Sequence, residues 1–322
     1  MNNPLVSIGV ITYNQEKYIE QCIDSLLMQK VNFKYEIIIG EDCSPDNTRE
    51  ILLRYKEKYP DIIKLILHDE NVGPAQNING VNRMATGKYL VFCEGDDFWV
   101  DENKLQKQFD FLEGHPEYSA VGHNCFYAKP NGEVIYKAVG SKKDRVYTMN
   151  DYLNKGAFIH CNTIFIRNYF TNPDERYIRL RNSYTTMGDI VTLALCFDKG
   201  DIYYMGEPML AHRLTDVSDN ASFSQTEKRK LIEHTKLFFK ITDALDEYFE
   251  GKYDFSNVAA DRLGHIYFCL FLHRKRYTID KGELKKFYSQ LSLKFKFKGL
   301  HCMFRQFFKA VLRKARKLCS RT

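Results

Sequence analysis

Three carboxylates crowd into four positions at Glu94, Asp96 and Asp97, directly after the apolar run Tyr89-Leu90-Val91-Phe92. Like charges at such spacing repel by about 1 kcal/mol or more per close pair unless something positive sits among them. A divalent cation is the simplest such group, and hard oxygen ligands favour Mg²⁺ or Mn²⁺. The competing reading is an acidic surface turn. A second acidic pair, Glu41-Asp42, follows the apolar run Tyr35–Ile39. Carboxylates in such places have two separable uses: accepting hydrogen bonds from a base or ribose, and holding a metal that neutralises phosphates. For Glu41 and Asp42 the alternative is helix-entry capping together with Ser44 and Asp46.

The elements needed to bring these acids together are legible. Leu5–Ile11, Tyr35–Ile39, Ile62–Leu67 and Tyr89–Phe92 read as strands, and helical patterns lie between them at Lys17–Gln29, from Ser44-Pro45-Asp46-Asn47 to Tyr59, and from Pro74 to near Gly87. Alternation of this kind predicts right-handed βαβ units and a mainly parallel α/β sheet flanked by helices. The carboxyl ends of its strands share one rim, so both acidic clusters fall on the same edge, where open sheets bind ligands. Further on, Lys104–Leu112 reads as a helix, Ala120–Tyr127, Val134–Tyr136 and Phe158–Ile166 as strands, and Asp189–Phe197 as a buried helix beginning at an acid. Residues 225–288 are mostly helical in pattern.

With 322 residues, 44% hydrophobic and 14% aromatic, the chain can bury a large core in one large or two moderate domains. No window approaches about 18 uncharged apolar residues, and Met1-Asn2-Asn3-Pro4 lacks a secretory pattern, so neither a membrane span nor export is expected. The nine cysteines are scattered without a CxxC pair, as reduced thiols in a cytoplasmic protein would be. Net charge is +6, but residues 284–322 hold twelve Lys and Arg and no acid, leaving a charge of −6 on the rest.

Four motifs in order resemble the family 2 glycosyltransferases of the GT-A fold, of the bacterial polysaccharide-biosynthesis type: Val6-Ser7-Ile8 leading to Thr12-Tyr13-Asn14, Gly40-Glu41-Asp42-Cys43-Ser44-Pro45-Asp46-Asn47-Thr48, Asn71-Val72-Gly73, and Glu94-Gly95-Asp96-Asp97. The resemblance covers about residues 4–213 and implies a nucleotide-sugar donor, a UDP-sugar first among them. It places Thr12, Tyr13, Asn14, Glu41, Asp42 and Asn71 around the nucleotide. Asp96 is the implied metal ligand, and Glu94, at a position usually held by Asp, a ribose or water-mediated contact. Asp97 and Trp99 would flank the donor sugar, although Trp99 is equally suited to the core. Many relatives carry Ala-Arg-Asn where this chain has Ala75-Gln76-Asn77. Gln76 cannot supply the charge of that arginine, so donor binding leans more on the metal.

The resemblance also implies a catalytic base at Asp189, opening a helix in Met187-Gly188-Asp189-Ile190, against the alternative that Asp189 only caps that helix. A later histidine often completes the metal site within Tyr-Arg-x-His. Aligning Ala211-His212-Arg213-Leu214-Thr215 on Arg213 puts Thr215 at that position, and a local shift of register would bring His212 to the metal instead. His160 is a candidate contact to acceptor or phosphate.

The segment Leu300–Cys319 carries Leu300, Met303, Phe304, Phe307, Phe308, Val311, Leu312, Ala315, Leu318 and Cys319 at helical spacing among cations. Such a helix suits the interface of an anionic membrane; the alternative is docking on the protein's own core. Nucleic acid is not an expected partner, since no binding module is recognisable. The expected organisation is a catalytic domain over 1–215 (donor half about 1–101, acceptor half about 102–215), a helical extension over 216–290 and a basic amphipathic tail over 291–322. The expected activity is inverting, metal-dependent sugar transfer to a hydroxyl of a glycan or lipid-linked acceptor in cell-surface polysaccharide synthesis, on the inner face of the membrane. A nucleotidyltransferase is the alternative enzyme, but Thr12-Tyr13-Asn14-Gln15 is not a Gly-rich basic phosphate loop. A non-catalytic glycan-assembly scaffold is the third possibility.

Overall fold

A computed structural model describes residues 4–155, 159–169, 174–184, 188–215, 231–271 and 280–319. The chain divides into two compact units, Met1–Tyr152 with Ala157–Ser218, and Leu153–Gly156 with Asp219–Thr322. The first unit contains β1 (Val6–Thr12), α1 (Ile19–Leu27), β2 (Tyr35–Glu41), α2 (Thr48–Lys58), β3 (Ile63–Leu67), α3 (Pro74–Met84), β4 (Tyr89–Glu94), β5 (Phe98–Trp99), α4 (Lys104–Gly114) and β6 (Tyr118–Ala128). After these come β7 (Val134–Ile135), β8 (Arg145–Tyr147), α5 (Met149–Lys155), β9 (Phe165–Arg167), α6 (Glu175–Asn182), α7 (Gly188–Lys199) and β10 (Asp201–Arg213), with α5 running across the division between the units. The second unit contains α8 (Leu231–Tyr248), α9 (Ser256–Phe271), α10 (Lys281–Gln290) and α11 (Leu293–Cys319).

The sheet runs β3-β2-β1-β4-β9-β6-β10-β5, with β7 added on β6 and β8 on β10. Strands β3, β2, β1 and β4 are parallel, as the βαβ pattern predicts. Apolar residues of the three inner strands are buried beneath helices: Val6, Ile8, Val10, Ile37, Ile39 and Val91 join Ile23 and Leu26 of α1 in one core. Helix α3 begins where Gly73 takes φ +82, a conformation open to glycine, and Pro74 supplies the preset first turn. Beyond β4 the sheet becomes mixed, since β9 pairs antiparallel with both β4 and β6.

Two elements differ from the sequence reading. The strand expected over Phe158–Ile166 is shorter: a 3₁₀ turn at Cys161–Thr163, closed by Thr163 N–H donating to His160 O, precedes β9. The thirteen-residue β10 has no counterpart in the periodicity, because its Gly206-Glu207-Pro208 reads as a break; the strand passes this point through register shifts against β6. In the second unit, Leu231, Ile232, Leu263, Ile266 and Phe287 form a separate small core. Parts of the expected helical extension, residues 216–230 and 272–279, lie outside the described residues.

Candidate active site

Register sets the rim. Thr12 pairs with Glu41 and Ile11 with Glu94, so the ends of β1, β2 and β4 are level. On the β2 side the buried carboxylates already hold protein donors. Glu41 accepts from Ser44 N at 2.6 Å and pairs with Arg49 Nε at 2.5 Å. Asp42 accepts from Val72 N at 2.8 Å and Gly73 N at 3.0 Å, fixing the turn before α3. Asn14 N donates to Ser44 Oγ and Glu16 N to Asp46, so the β1–α1 and β2–α2 loops are tied together. Asn14 and Cys43, both on this rim, have φ 57. Thr12 is buried with its hydroxyl donating to Gln15 Oε1, which leaves Tyr13, Asn14, Asn71 and Gln76 as the exposed candidates of the donor half.

The acidic loop is held from the other side of the sheet. A Cβ on Gly95 would lie 3.0 Å from Thr12 Cβ and would displace the Gln15 amide that accepts from the Thr12 hydroxyl, so glycine lets the loop approach β1 closely. Asp97 is fully buried (0% exposed). One of its oxygens accepts from Arg213 N at 2.9 Å, the other from Asn162 Nδ2 at 2.7 Å, and His212 Nδ1 lies 3.0 and 3.1 Å from the two. A carboxylate can only accept, so Nδ1 carries hydrogen and Nε2 is the nitrogen left for another partner. Asn162 Nδ2 also reaches Glu94 at 3.3 Å. The buried Arg213 locks the loop: Nε donates to Asp96 O at 2.7 Å, Nη1 to Pro130 O at 2.9 Å and Nη2 to Gln21 Oε1 at 2.6 Å.

These contacts divide the three acids electrostatically. Burial would raise Asp97, but His212, by charge and hydrogen bond, followed by His160 and the Arg213 amide, brings it below the usual carboxylate range. Burial, then Asp97 and Glu94, push Asp96 well up, while Glu94 rises to about 7 through burial and then Asp97. Burial would lower His212, yet Asp97 outweighs it and brings His212 to about 9. His160, its ring centroid 4.6 Å from that of His212, falls to about 4 through burial and then the His212 charge.

An excess of carboxylate charge at a half-buried rim is the donor chemistry of a divalent cation site. Ligand atoms of Asp97, His160 and His212 lie within 4.8 Å of one another. The Asp97–His212 pair has the arrangement in which a carboxylate fixes the ring of a metal-binding histidine. Asp189 stands in the first turn of α7, exposed, and its charge is felt at Glu94 and Cys161. Trp99 is packed into the main core, 1% exposed, with Lys104 Nζ 3.9 Å over its ring. Asn162, Gln21 and the anchoring role of Arg213 were not singled out from sequence. The polar residues His160, Asn162 and Thr163 interrupting the apolar run from Phe158 to Ile166 were the available signal for Asn162.

The fold is a GT-A fold, as comparison with solved structures shows. Staphylococcus aureus TarS residues 1–349 in complex with UDP-GlcNAc aligns with a TM-score of 0.57 at 16% identity, covering 92% of this chain and 79% of that one. Residues 7–172 match the family model for glycosyl transferase family 2. The Bacillus subtilis protein TuaG, named for teichuronic acid biosynthesis, is 32% identical over 217 residues, 67% of this chain and 81% of TuaG. The chain belongs to glycosyl transferase family 2. An uncharacterised Mycobacterium tuberculosis protein is 42% identical over 118 residues, and the chain spans 34% of the length of that relative.

Proposed function

We propose that this protein is an inverting, metal-dependent glycosyltransferase that moves a sugar from a nucleotide-sugar donor to a hydroxyl of a glycan in cell-surface polysaccharide synthesis. The observation that carries the reading is the convergence of Asp97, His160 and His212, whose ligand atoms lie within 4.8 Å of one another, with the charges of Glu94 and Asp96 beside them at the end of β4. Asp96 and the Nε2 of His212 would hold a divalent cation, Mn²⁺ or Mg²⁺, with Asp97 orienting the ring. When bound, that cation supplies charge to offset the departing diphosphate.

Tyr13, Asn14, Asn71 and Gln76 line the nucleotide side, with Glu41 and Asp42 shaping the loops behind them. Glu94 sits beside the donor sugar, and Asp189 takes the proton of the acceptor hydroxyl as it attacks the anomeric carbon. A UDP-sugar is the favoured donor, supported by the UDP-GlcNAc complex of TarS. The catalytic domain covers 1–215. The acceptor is lipid-linked, and the protein works from the cytoplasmic face of the membrane. A panel of nucleotide sugars, each incubated with Mn²⁺ or with chelator, tests the proposal. One donor should be hydrolysed only with metal, and Asp96→Ala should abolish that turnover; an unchanged rate in the variant would remove the assignment.

A further inference from the structure

Helix α11 uses two opposite faces. One packs against α9, where the backbones cross at glycines: a Cβ on Gly264 would lie 2.6 Å from Cys302 Cβ, and one on Gly299 would lie 2.6 Å from Leu263 Cδ2. Lys298 pairs with Asp254, Arg305 with Asp261, and Gln306 Nε2 donates to Asp261 O on the same side. The other face carries Leu293, Phe297, Leu300, Phe304 and Phe308, which are 71%, 70%, 41%, 51% and 63% exposed. At about 100° per residue this row fills a sector roughly 80° wide, turned about 160° from the Gly299–Cys302–Gln306 face.

Of the apolar stripe read from the sequence, Leu300, Phe304 and Phe308 are exposed, while the side chains of Val311, Leu312, Ala315, Leu318 and Cys319 lie outside the described residues. Met303 lies toward the docked side, and Leu293 and Phe297 extend the exposed row about two turns earlier. Exposed Lys294 and His301 border it, and α11 contains no acid. Exposed Lys285 and Lys286 stand on the preceding helix.

The charge decides the occupant. Lys298 and Arg305 are held by Asp254 and Asp261, but a second copy seated on this row would set Lys294, Lys285 and Lys286 against the same cations of its partner, and α11 contributes no acid to offset them. A nucleic acid would neutralise the cations but leave the phenylalanines in water. An anionic lipid surface meets both demands. No helix among the described residues is long and apolar enough to cross a membrane. We propose that α11 lies in the plane of an anionic membrane, with Leu293, Phe297, Leu300, Phe304 and Phe308 inserted among the acyl chains and its glycine face holding α9. This names the surface for the membrane location in the proposed function, but it requires no donor turnover.

The test is co-sedimentation of the full chain with vesicles of phosphatidylglycerol and phosphatidylcholine, against phosphatidylcholine alone. The parent should bind the anionic vesicles. The combined variant Phe297→Ser, Phe304→Ser, Phe308→Ser, which keeps every charge, should lose at least tenfold in partitioning while its melting temperature and mass by light scattering stay those of the parent. Phe304→Trp should add an emission component that shifts blue on vesicle binding. Failure of the parent to bind, equal binding by the triple variant, no blue shift, or a change confined to oligomeric state would overturn the proposal. Vesicle binding without sugar transfer would refute the proposed activity alone.

Discussion

Neighbouring aspartates in the acidic loop should respond oppositely to the same change. In Asp97→Asn, the amide NH₂ must meet either Arg213 N–H or Asn162 Nδ2, because these donors address different oxygens. One buried donor is then opposed, and the His212 imidazolium loses its counter-charge. Breaking a buried pair costs about 3 kcal/mol or more. For a unit of this size that is a fall of roughly 6–12 °C in melting temperature.

The pH window follows from the shifts. Asp97 is lowered, so its contribution is present above the ordinary carboxylate range and is lost as pH falls through its folded value; His212 is raised, so its contribution is complete below about 6.5 and lost as pH rises through about 9. The deficit of the variant should be widest between those limits and close at both ends. Asp96→Asn removes a carboxyl that burial, Asp97 and Glu94 already disfavour as an anion. The metal-free melting temperature should then hold or rise at pH 7. Both variants should bind Mn²⁺ less tightly, by about 10- to 100-fold for Asp97→Asn through loss of ring orientation. Calorimetry in chelator followed by Mn²⁺ titration reads both effects. If Asp97→Asn melts with the parent, or Asp96→Asn falls by as much, the division of the two acids is wrong.

For Asp189→Asn, donor hydrolysis or binding should persist while transfer to acceptor falls by a hundredfold or more, measured with saturating donor; normal transfer would end its candidacy as the base. Lys104 is buried beneath the only tryptophan and falls to about 7, so Trp99 fluorescence should change with a midpoint near pH 7 and lose that step in Lys104→Met. Because the lysine is lowered, stability should rise with pH between about 7 and 10.4, and the methionine variant should flatten that slope in thermal melts.

The donor half was the more legible part of the sequence. Its strands are short apolar runs, those of β1, β2 and β4 largely buried, and Pro60 and Pro74 punctuate the helices between them, so periodicity located β1 to β4 and their acidic ends. What sequence could not show was use. In sequence Glu41 and Asp42 suit both nucleotide contact and helix-entry capping, and only their backbone donors show the structural use; Trp99 suits the donor sugar and the core, and it lies in the core with Lys104 over its ring. The acceptor side was less legible because β10 crosses a Gly-Glu-Pro segment that reads as a turn, and because Asn162 and His212 come together only through pairings of non-neighbouring strands.

Arg213 also imposes an order of assembly. It is the last residue of β10, yet it bonds to Gln21 on the first helix and to the Asp96 carbonyl, and its own amide closes on Asp97. During synthesis the parallel strands leave the ribosome first, and their acidic loop must wait for more than a hundred further residues before this partner exists. A fragment ending at 172, where the family match stops, would contain every acid of that loop and none of the groups of β10 that restrain it.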